Sequence, residues 1–338
     1  MLTPPKDLEL DALARALARW QLREPRLRYL PVGFGGHHWS ADVADGRFFV
    51  TVDDLEAGIQ AGESLDAAFA ALERAYRTAA ALRERAALEF VLAPIGDREG
   101  AVVRRLGARY AVSVVPFVDG ASGSFGEYAS AETRDRIAAL LGRLHAASGA
   151  LDADLPRRDD CGIPARAVLE RALASLSSTW DTGPYGEPAR ALLARRADEL
   201  ERRLRDYDEL AARVRERSGS WVITHGEPHR GNVIVEPDGA RRLVDWDTAL
   251  VAPRERDLLF VLDDRLAGWD AYASTAGDVE LDHEALDLYG RRWALGDIGM
   301  FVAVLLCPHE DDENTAASFG FLRGYLERPG AGNPPCSL

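Results

Sequence analysis

The pattern of hydrophobic and polar positions divides the chain into a strand-rich first part and a mainly helical remainder. Residues 8–20 carry Leu10, Leu13, Leu17 and Trp20 at helical spacing, which predicts an amphipathic helix. Another helix with the same periodicity is predicted to begin near Leu65. Short apolar runs around these helices predict β-strands, and they cover residues 28–32, 38–43, 48–52, 91–95, 101–104 and 110–117.

The second part begins after a polar, glycine-containing loop at residues 119–123, where we expect a boundary between two lobes. Ser130 is a suitable N-cap for the helix that follows, and residues 187–217 predict another helix. Three short strands are expected at residues 221–224, 233–235 and 243–245, with a turn at Asp238-Gly239, and helices from 255 to about 327. The predicted organisation is a lobe at 1–118, a lobe at 119–327 and a flexible tail at 328–338.

The three short strands bracket the most informative segments of the sequence. Residues 225–232 read HGEPHRGN, and residues 243–247 read LVDWD. An acid, Glu227, therefore precedes Asn232 by five residues, and Asp245 follows that Asn by thirteen. Magnesium-dependent phosphoryl transfer needs a carboxylate facing the acceptor hydroxyl, with an Asn and an Asp that hold the metal on the phosphates.

These segments resemble the catalytic loop (HGDxxxxN) and metal-binding segment of the aminoglycoside phosphotransferases and choline kinases. The stretch APRERDL at residues 252–258 is similar to that of the spectinomycin-type phosphotransferases, and the resemblance extends over roughly residues 25–325. It implies an α+β, bilobal protein-kinase-like fold with a strand-rich N-lobe that binds nucleotide and a mainly helical catalytic C-lobe. The chain departs from the family in carrying Glu227 where the family has Asp.

The resemblance also implies roles for individual residues. Glu227 would orient the acceptor hydroxyl and take its proton, and Asn232 with Asp245 would bind Mg²⁺ through oxygen atoms. Asp247 would either reach the metal or brace the turn. Two further positions, His225 and Asp257, would be scaffold around the loop. His229, within the loop, would face the substrate or support its neighbours.

The nucleotide site is expected in the first part. The turn containing Gly33, Gly35 and Gly36 would place backbone N–H groups over the phosphates of ATP or GTP. The end of the strand predicted at residues 110–117 would pair with the purine through Val115 and Phe117.

The third strand of the family carries a lysine that binds the α- and β-phosphates, and Thr51 stands at that place here. The only lysine in the sequence is Lys6. His37, His38 or an arginine from elsewhere could substitute, and the sequence does not choose among them. Glu73 would be the counterpart of the helix acid that pairs with that lysine, or, without the lysine, simply a solvent-facing or helix-stabilising acid.

Composition adds limits on the partners. The formal net charge of −14 argues against nucleic acid and suits a cationic small molecule. Cys161, Cys307 and Cys336 form no metal-binding pattern. No apolar run is long enough for a membrane span or resembles a secretion signal, so a cytoplasmic location is expected.

Two functions remain open from the sequence. The first is a Mg²⁺-dependent O-phosphotransferase that moves the γ-phosphate of ATP or GTP to a hydroxyl of a small, cationic, aminoglycoside-like molecule. The second is a pseudokinase-like protein that binds a nucleotide or small molecule on the same fold without transfer. The departures at Thr51 and Glu227 support the second function, whereas the intact pair of Asn232 and Asp245 favours the first. The acceptor and the oligomeric state do not follow from the sequence.

Overall fold

The computed structural model describes residues 3–33, 36–56, 64–123, 128, 130–152 and 155–327. Gly35 and the predicted tail at 328–338 lie outside the described residues. The strands are β1 (Arg26–Leu30), β2 (Gly36–Val43), β3 (Gly46–Asp54), β4 (Val103–Leu106), β5 (Tyr110–Pro116), β6 (Ala121–Ser122), β7 (Val222–Thr224), β8 (Val233–Val235), β9 (Arg241–Leu243) and β10 (Leu250–Ala252). The helices are α1 (Leu10–Leu17), α2 (Leu65–Glu84), α3 (Ala131–Ala146), α4 (Arg166–Ala174), α5 (Gly186–Ala194), α6 (Ala197–Glu216), α7 (Glu255–Leu258), α8 (Trp269–Ala276), α9 (His283–Leu306) and α10 (Glu313–Glu327).

The chain forms two compact units, each built from two separate stretches of sequence. The first comprises Met1–Arg158 and Val222–Val279, and the second comprises Asp159–Trp221 and Glu280–Leu338. The lobe boundary expected at residues 118 and 119 falls inside the first unit. It concerns lobes rather than these units, and it stays a prediction.

The first unit contains a five-stranded antiparallel sheet in the order β1-β2-β3-β5-β4. One face of this sheet carries Trp39, Val50 and Val112, which pack with Leu13 and Leu17 of α1 into a hydrophobic core. Burial of several such side chains stabilises the sheet by about 1.5–3 kcal/mol each. Because successive residues of a strand point to opposite faces, the residues between these core positions lie on the other face.

The same unit holds the short strands that carry the HGEPHRGN and LVDWD segments. β8 pairs with β9 and β6 in one sheet, and β7 pairs with β10 in another. The turn at Asp238-Gly239 joins β8 to β9, as predicted, with Gly239 at a φ of 87°. Helix α3 packs against α8 and β7, and Ser130 caps it by accepting a hydrogen bond from the N–H of Thr133.

The second unit is helical. α9 runs through it and packs against α4, α5, α6 and α10. Its buried positions include Leu288, Leu295, Ile298 and Val302. No helix in the described part of the chain is long and apolar enough to cross a membrane.

Four sequence expectations are corrected. Residues 91–95 form no strand apart from a single bridge between Val91 and Leu243. The predicted helix at 187–217 is broken between α5 and α6, and the strand expected at 243–245 ends at Leu243. The loop expected at 119–123 includes the short strand β6.

Candidate functional site

The segment that follows β7 is anchored by His225, which is fully buried. Its Nε2–H donates to the carbonyl of Val244 at 2.8 Å, and its Nδ1 accepts from the N–H of Glu227 at 3.2 Å. Burial lowers the pKa of His225 to about 4, so the ring is neutral near pH 7. These contacts tie the HGEPHRGN segment to the LVDWD segment through an uncharged side chain.

Asp257, in α7, fixes the main chain of the same segment. Its carboxylate accepts from the N–H of Gly226 at 2.6 Å, the N–H of His225 at 2.8 Å and Nε2 of His145 at 3.1 Å. Burial works to raise the pKa of Asp257, but the hydrogen bond and charge of His145 together hold it below its ordinary value. His145 in turn pairs with Tyr272 through Nδ1 at 2.8 Å, so this scaffold extends to a residue that the sequence did not identify.

Arg256 is another buried residue that the sequence did not identify. It donates to Oγ1 of Thr224 at 2.9 Å and to the carbonyl of Thr248 at 3.0 Å. Its guanidinium lies against Gly226, where a Cβ would come within 2.2 Å of Nη2, and Gly226 has a φ of 104°. Only glycine fits this position, and the APRERDL stretch, which contains Arg256, was the available signal for the arginine.

Glu227 and Asn232 are connected within the loop. The side-chain amide of Asn232 donates from Nδ2 to the carbonyl of Glu227 at 2.9 Å. Asn232 is buried, and its Oδ1 is left as the acceptor on the other side of the amide. The Glu227 side chain is half-buried, with Oε2 3.9 Å from Nε2 of His229.

A main-chain hydrogen bond connects Asn232 to the residue that precedes Asp245. The N–H of Val244 donates to the carbonyl of Asn232 at 3.0 Å, so Asp245 directly follows a residue that is bonded to Asn232. Asp245 has a φ of 69°, a left-handed conformation that Asp tolerates better than most residues. The bend ends β9 and turns the Asp245 side chain out of the strand, while the next residue, Trp246, is buried.

Four carboxylates share one electrostatic environment, and we call Asp53, Glu227, Asp245 and Asp247 the acidic cluster. The Asp245 side chain is exposed, but the protein atoms around its carboxylate and the charges of Asp247, Glu227 and Asp53 raise its pKa. Burial and then the charge of Asp247 raise the pKa of Asp53 to about 8. Asp53 was not predicted as a site residue. It lies on β3 and accepts a hydrogen bond from Tyr76 of α2 at 3.1 Å.

The acidic cluster fits a magnesium ion. Oδ1 of Asn232 and the carboxylate of Asp245 are hard oxygen donors, and mutual repulsion among the four acids would be relieved by a cation. Within the described ranges, no group of three or more His, Cys, Asp or Glu could hold an ion. Mg²⁺ usually binds through one or two protein carboxylates and takes its other ligands from phosphate and water.

Asp247 and His229 stay undecided between direct and supporting roles. The Asp247 side chain is exposed to solvent. His229 accepts through Nδ1 from the N–H of Gly231 at 3.1 Å and packs edge-on against Phe260. Burial lowers the pKa of His229 to about 4.

The predicted nucleotide residues lie on the five-stranded sheet and its turns. Thr51 is in β3, directly opposite Ser113 of β5, and on the face away from the hydrophobic core. Asp53 follows two residues later on the same face. The strand thus presents a hydroxyl and a carboxyl group on this face.

The strand β5 contains Val115, which lies opposite Phe49 and is half-buried. Phe117 follows the strand and packs beneath the guanidinium of Arg47, at 5.0 Å from the ring centre. Phe117 and Arg47 also line an open hollow of about 510 Å³ at the β2–β3 hairpin. That hollow contains none of the acidic cluster, so its size carries no argument about catalysis.

Comparison with known proteins gives the family. A model of the phosphotransferase enzyme family matches residues 39–295. No curated protein matches the chain. Among solved structures, spectinomycin phosphotransferase APH(9)-Ia, crystallised with ADP and spectinomycin, is similar with a TM-score of 0.71 and 15% identity over 97% of each chain.

Other similar structures act on different molecules according to their names. An aminoglycoside phosphotransferase from Alicyclobacillus acidocaldarius has a TM-score of 0.54 and 15% identity, over 96% of this chain and 94% of that one. A microcompartment-associated aminopropanol kinase has a TM-score of 0.56 and 17% identity, over 94% and 95%. At these identities the likeness establishes the α+β, bilobal protein-kinase-like fold, as the sequence predicted. Because the family model spans most of its length, the chain belongs to the phosphotransferase enzyme family.

Proposed function

We propose that the chain is a Mg²⁺-dependent small-molecule O-phosphotransferase that moves the γ-phosphate of ATP or GTP to a hydroxyl group. The observation that carries the proposal is the adjacency of Asn232 and Asp245, joined by the hydrogen bond from Val244, with Glu227 tied to the same Asn. A cationic, aminoglycoside-like acceptor is the substrate class that suits an acidic protein of this family.

The roles follow from position. Glu227 accepts the hydrogen of the acceptor hydroxyl and orients its oxygen toward the phosphate. Its side chain is one methylene longer than that of Asp, so its carboxylate lies about 1.5 Å further from the main chain. Asp257 and Arg256 fix the main chain at Gly226, and through it the origin of the Glu227 side chain. Mg²⁺ held by Asn232 and Asp245 would neutralise and align the phosphate oxygens.

A second candidate is a binding protein on the same fold that does not transfer phosphate. The observation that favours it is on β3, where Thr51 and Asp53 occupy the sheet face on which the family has its lysine. In its ionised form the Asp53 carboxylate repels phosphate unless a cation lies between them.

The test is a direct assay of transfer. The purified chain is incubated with Mg²⁺, with ATP or GTP, and with a panel of hydroxylated amines that includes spectinomycin, aminoglycosides and aminopropanol. Product is detected by mass spectrometry as the mass of one added phosphate, together with release of nucleoside diphosphate. We expect Asp245→Ala to lower the rate by at least about a hundredfold, because the metal loses its carboxylate.

The matched control is Asp278→Asn, an exposed acid in the same unit, which should leave the rate unchanged. Glu227→Asp separates the two candidates further, because it restores the acid that the family uses. If neither the wild-type chain nor Glu227→Asp yields a phosphorylated product, while the wild-type chain still binds nucleotide, the binding-protein function replaces the transferase.

A further inference from the structure

His38 lies between the glycine-rich turn and β3, at the place where the family lysine is absent. In the antiparallel register it is directly opposite Thr51, so the two side chains share one face of the sheet. Oγ1 of Thr51 and Nδ1 of His38 are 3.3 Å apart. The imidazole also packs at 5.0 Å from the ring of Phe49, which fixes its plane.

The turn closes over the same ring. A Cβ on Gly33 would lie 3.3 Å from Nε2 of His38, and a Cβ on Gly36 would lie 3.2 Å from its Cε1. Gly33 also has a φ of 70°, which side chains rarely adopt. Both glycines therefore let the turn approach the imidazole closely, and Gly36 in addition lies opposite Asp53 of the acidic cluster.

The neighbouring histidine does not share this position. His37 is on the other face of β2 with Trp39, and its Nδ1 is 3.2 Å from the hydroxyl of Tyr29. Of the two histidines considered from the sequence, the structure therefore places His38 on the face that carries Thr51 and Asp53.

We propose that His38 binds the phosphate groups of the nucleotide through Nε2–H, in the role of the missing third-strand lysine, and that Thr51 positions its ring. This inference rests on the proposed function. With the Thr51 hydroxyl donating to Nδ1, the neutral ring carries its proton on Nε2. In the described part of the chain, Nε2 has no hydrogen-bond partner, so this donor is available to a ligand.

The proposal accounts for the residues around the ring. A lysine at position 51 would form an ion pair with Asp53 or Asp245 and be held away from the phosphates, whereas an uncharged donor would not. The positive charge that balances the phosphates would then come from the metal, and the protein would orient them through a hydrogen bond. His38 is thus a phosphate-binding residue, and Thr51 is a positioning residue.

The experiment measures binding by calorimetry with three probes: ATP with Mg²⁺, tripolyphosphate with Mg²⁺, and adenosine. We expect His38→Leu to weaken ATP and tripolyphosphate about tenfold, as for loss of one hydrogen bond to a charged group, and to leave adenosine unchanged. His38→Gln keeps an N–H donor at similar reach and should stay within about threefold of the wild-type chain. His283→Ala, on the exposed start of α9, is the control variant.

Thr51 is tested by the state of the ring. In ¹⁵N NMR spectra of His38, the wild-type chain should show the Nε2–H tautomer and a shift of that signal when ATP binds. Thr51→Val should allow both tautomers and weaken ATP about threefold, and Thr51→Ser should restore both readouts. A loss of packing alone would not follow the hydroxyl group in this way.

The outcomes separate the two proposals. If His38→Leu binds ATP as tightly as the wild-type chain, or more tightly, the imidazole only fills space and the proposed role of His38 is wrong, while the transferase proposal stands. If His38→Leu and His38→Gln lose adenosine and ATP equally, the ring supports the fold and the phosphate role is again wrong. A wild-type chain that binds no probe overturns both proposals.

Discussion

Replacing Asp257 by Asn tests whether the catalytic loop is held by a buried carboxylate. Asn has the same shape, but one of its two terminal atoms is an N–H donor. In one orientation this donor faces the N–H of Gly226, which now donates to Oδ1 at 2.6 Å. In the other it faces the N–H of His225 and Nε2 of His145, at 2.8 and 3.1 Å. Either way at least one buried main-chain N–H loses its acceptor.

The magnitude follows from these contacts. An unsatisfied buried N–H costs about 1–3 kcal/mol. The remaining hydrogen bonds lose their charge assistance, which costs about 1 kcal/mol each. Because Asp257 is fully buried, water cannot replace the lost partner. The expected decrease in the free energy of unfolding is therefore about 3–5 kcal/mol. The freed main chain precedes Glu227, and a displacement of about 1 Å there should lower kcat about a hundredfold.

Urea unfolding measures the first effect, and transfer assays at saturating substrate measure the second. Asp263→Asn is the matched control, because Asp263 accepts from the N–H groups of Arg265 and Ala267 at 2.9 and 3.0 Å while being exposed to solvent. It should change the free energy of unfolding by less than about 1 kcal/mol. A decrease of less than 1 kcal/mol for Asp257→Asn would refute the reasoning.

Three further predictions concern stability. The pKa of His225 is about 4 in the folded chain and ordinarily near 6.5, so the unfolded chain binds a proton more readily. The neutral ring therefore contributes its full stabilisation above pH 6.5, and the free energy of unfolding should fall by about 3 kcal/mol as the pH drops toward 4. Urea unfolding at a series of pH values measures this decrease. Burial raises the pKa of Asp297 to about 6, so its ionisation disfavours folding increasingly as the pH rises from about 4 to 6. Asp297→Asn should therefore stabilise the chain at pH 7 by about 1–3 kcal/mol and have no such effect at pH 3. An equal effect at both pH values would contradict this link between ionisation and folding. Gly226→Ala should cost more than Gly277→Ala in thermal or urea unfolding. Both positions have a positive φ and would pay a backbone strain of about 1–3 kcal/mol, but only the Cβ at position 226 would in addition meet Arg256, since Gly277 has open space around it. Equal costs would show that the guanidinium yields.

Local signals predicted much of the fold. The Ser130 cap, the hairpin turn at Asp238-Gly239 and the periodicity of α1 depend on residues close in sequence, and each was found as predicted. The segment 91–95 has an equally apolar pattern and yet forms no strand. Its N–H groups at Leu92 and Ile95 donate to Leu243 and Val114, on different parts of the chain, so the pattern reflects burial between elements rather than a ladder.

The candidate site likewise combines residues that the sequence predicted with residues that only the structure could identify. The spacing of Glu227, Asn232 and Asp245 is readable because the two segments lie close in sequence, and hydrogen bonds link Asn232 to Glu227 and to the residue before Asp245. Asp53 could not be found, because its proximity to Asp245 arises only when β3 and the β8–β9 hairpin are both in place. The choice between His37 and His38 likewise needed the register of β2 against β3, since a shift of one residue exchanges the faces.

The discontinuity of the first unit has a consequence for biosynthesis. Its sheet and α1 are complete by residue 158, but β7, β10 and α8, which pair with one another or pack on α3, are supplied only by residues 222–279. At a translation speed of about 5–20 residues per second, the 121 residues from 159 to 279 take about 6 to 24 seconds to synthesise. During that interval the apolar side of α3 lacks α8, against which it packs in the complete chain. We therefore expect a ribosome-associated chaperone to bind the nascent chain. Slow codons between the two stretches would lengthen this exposure.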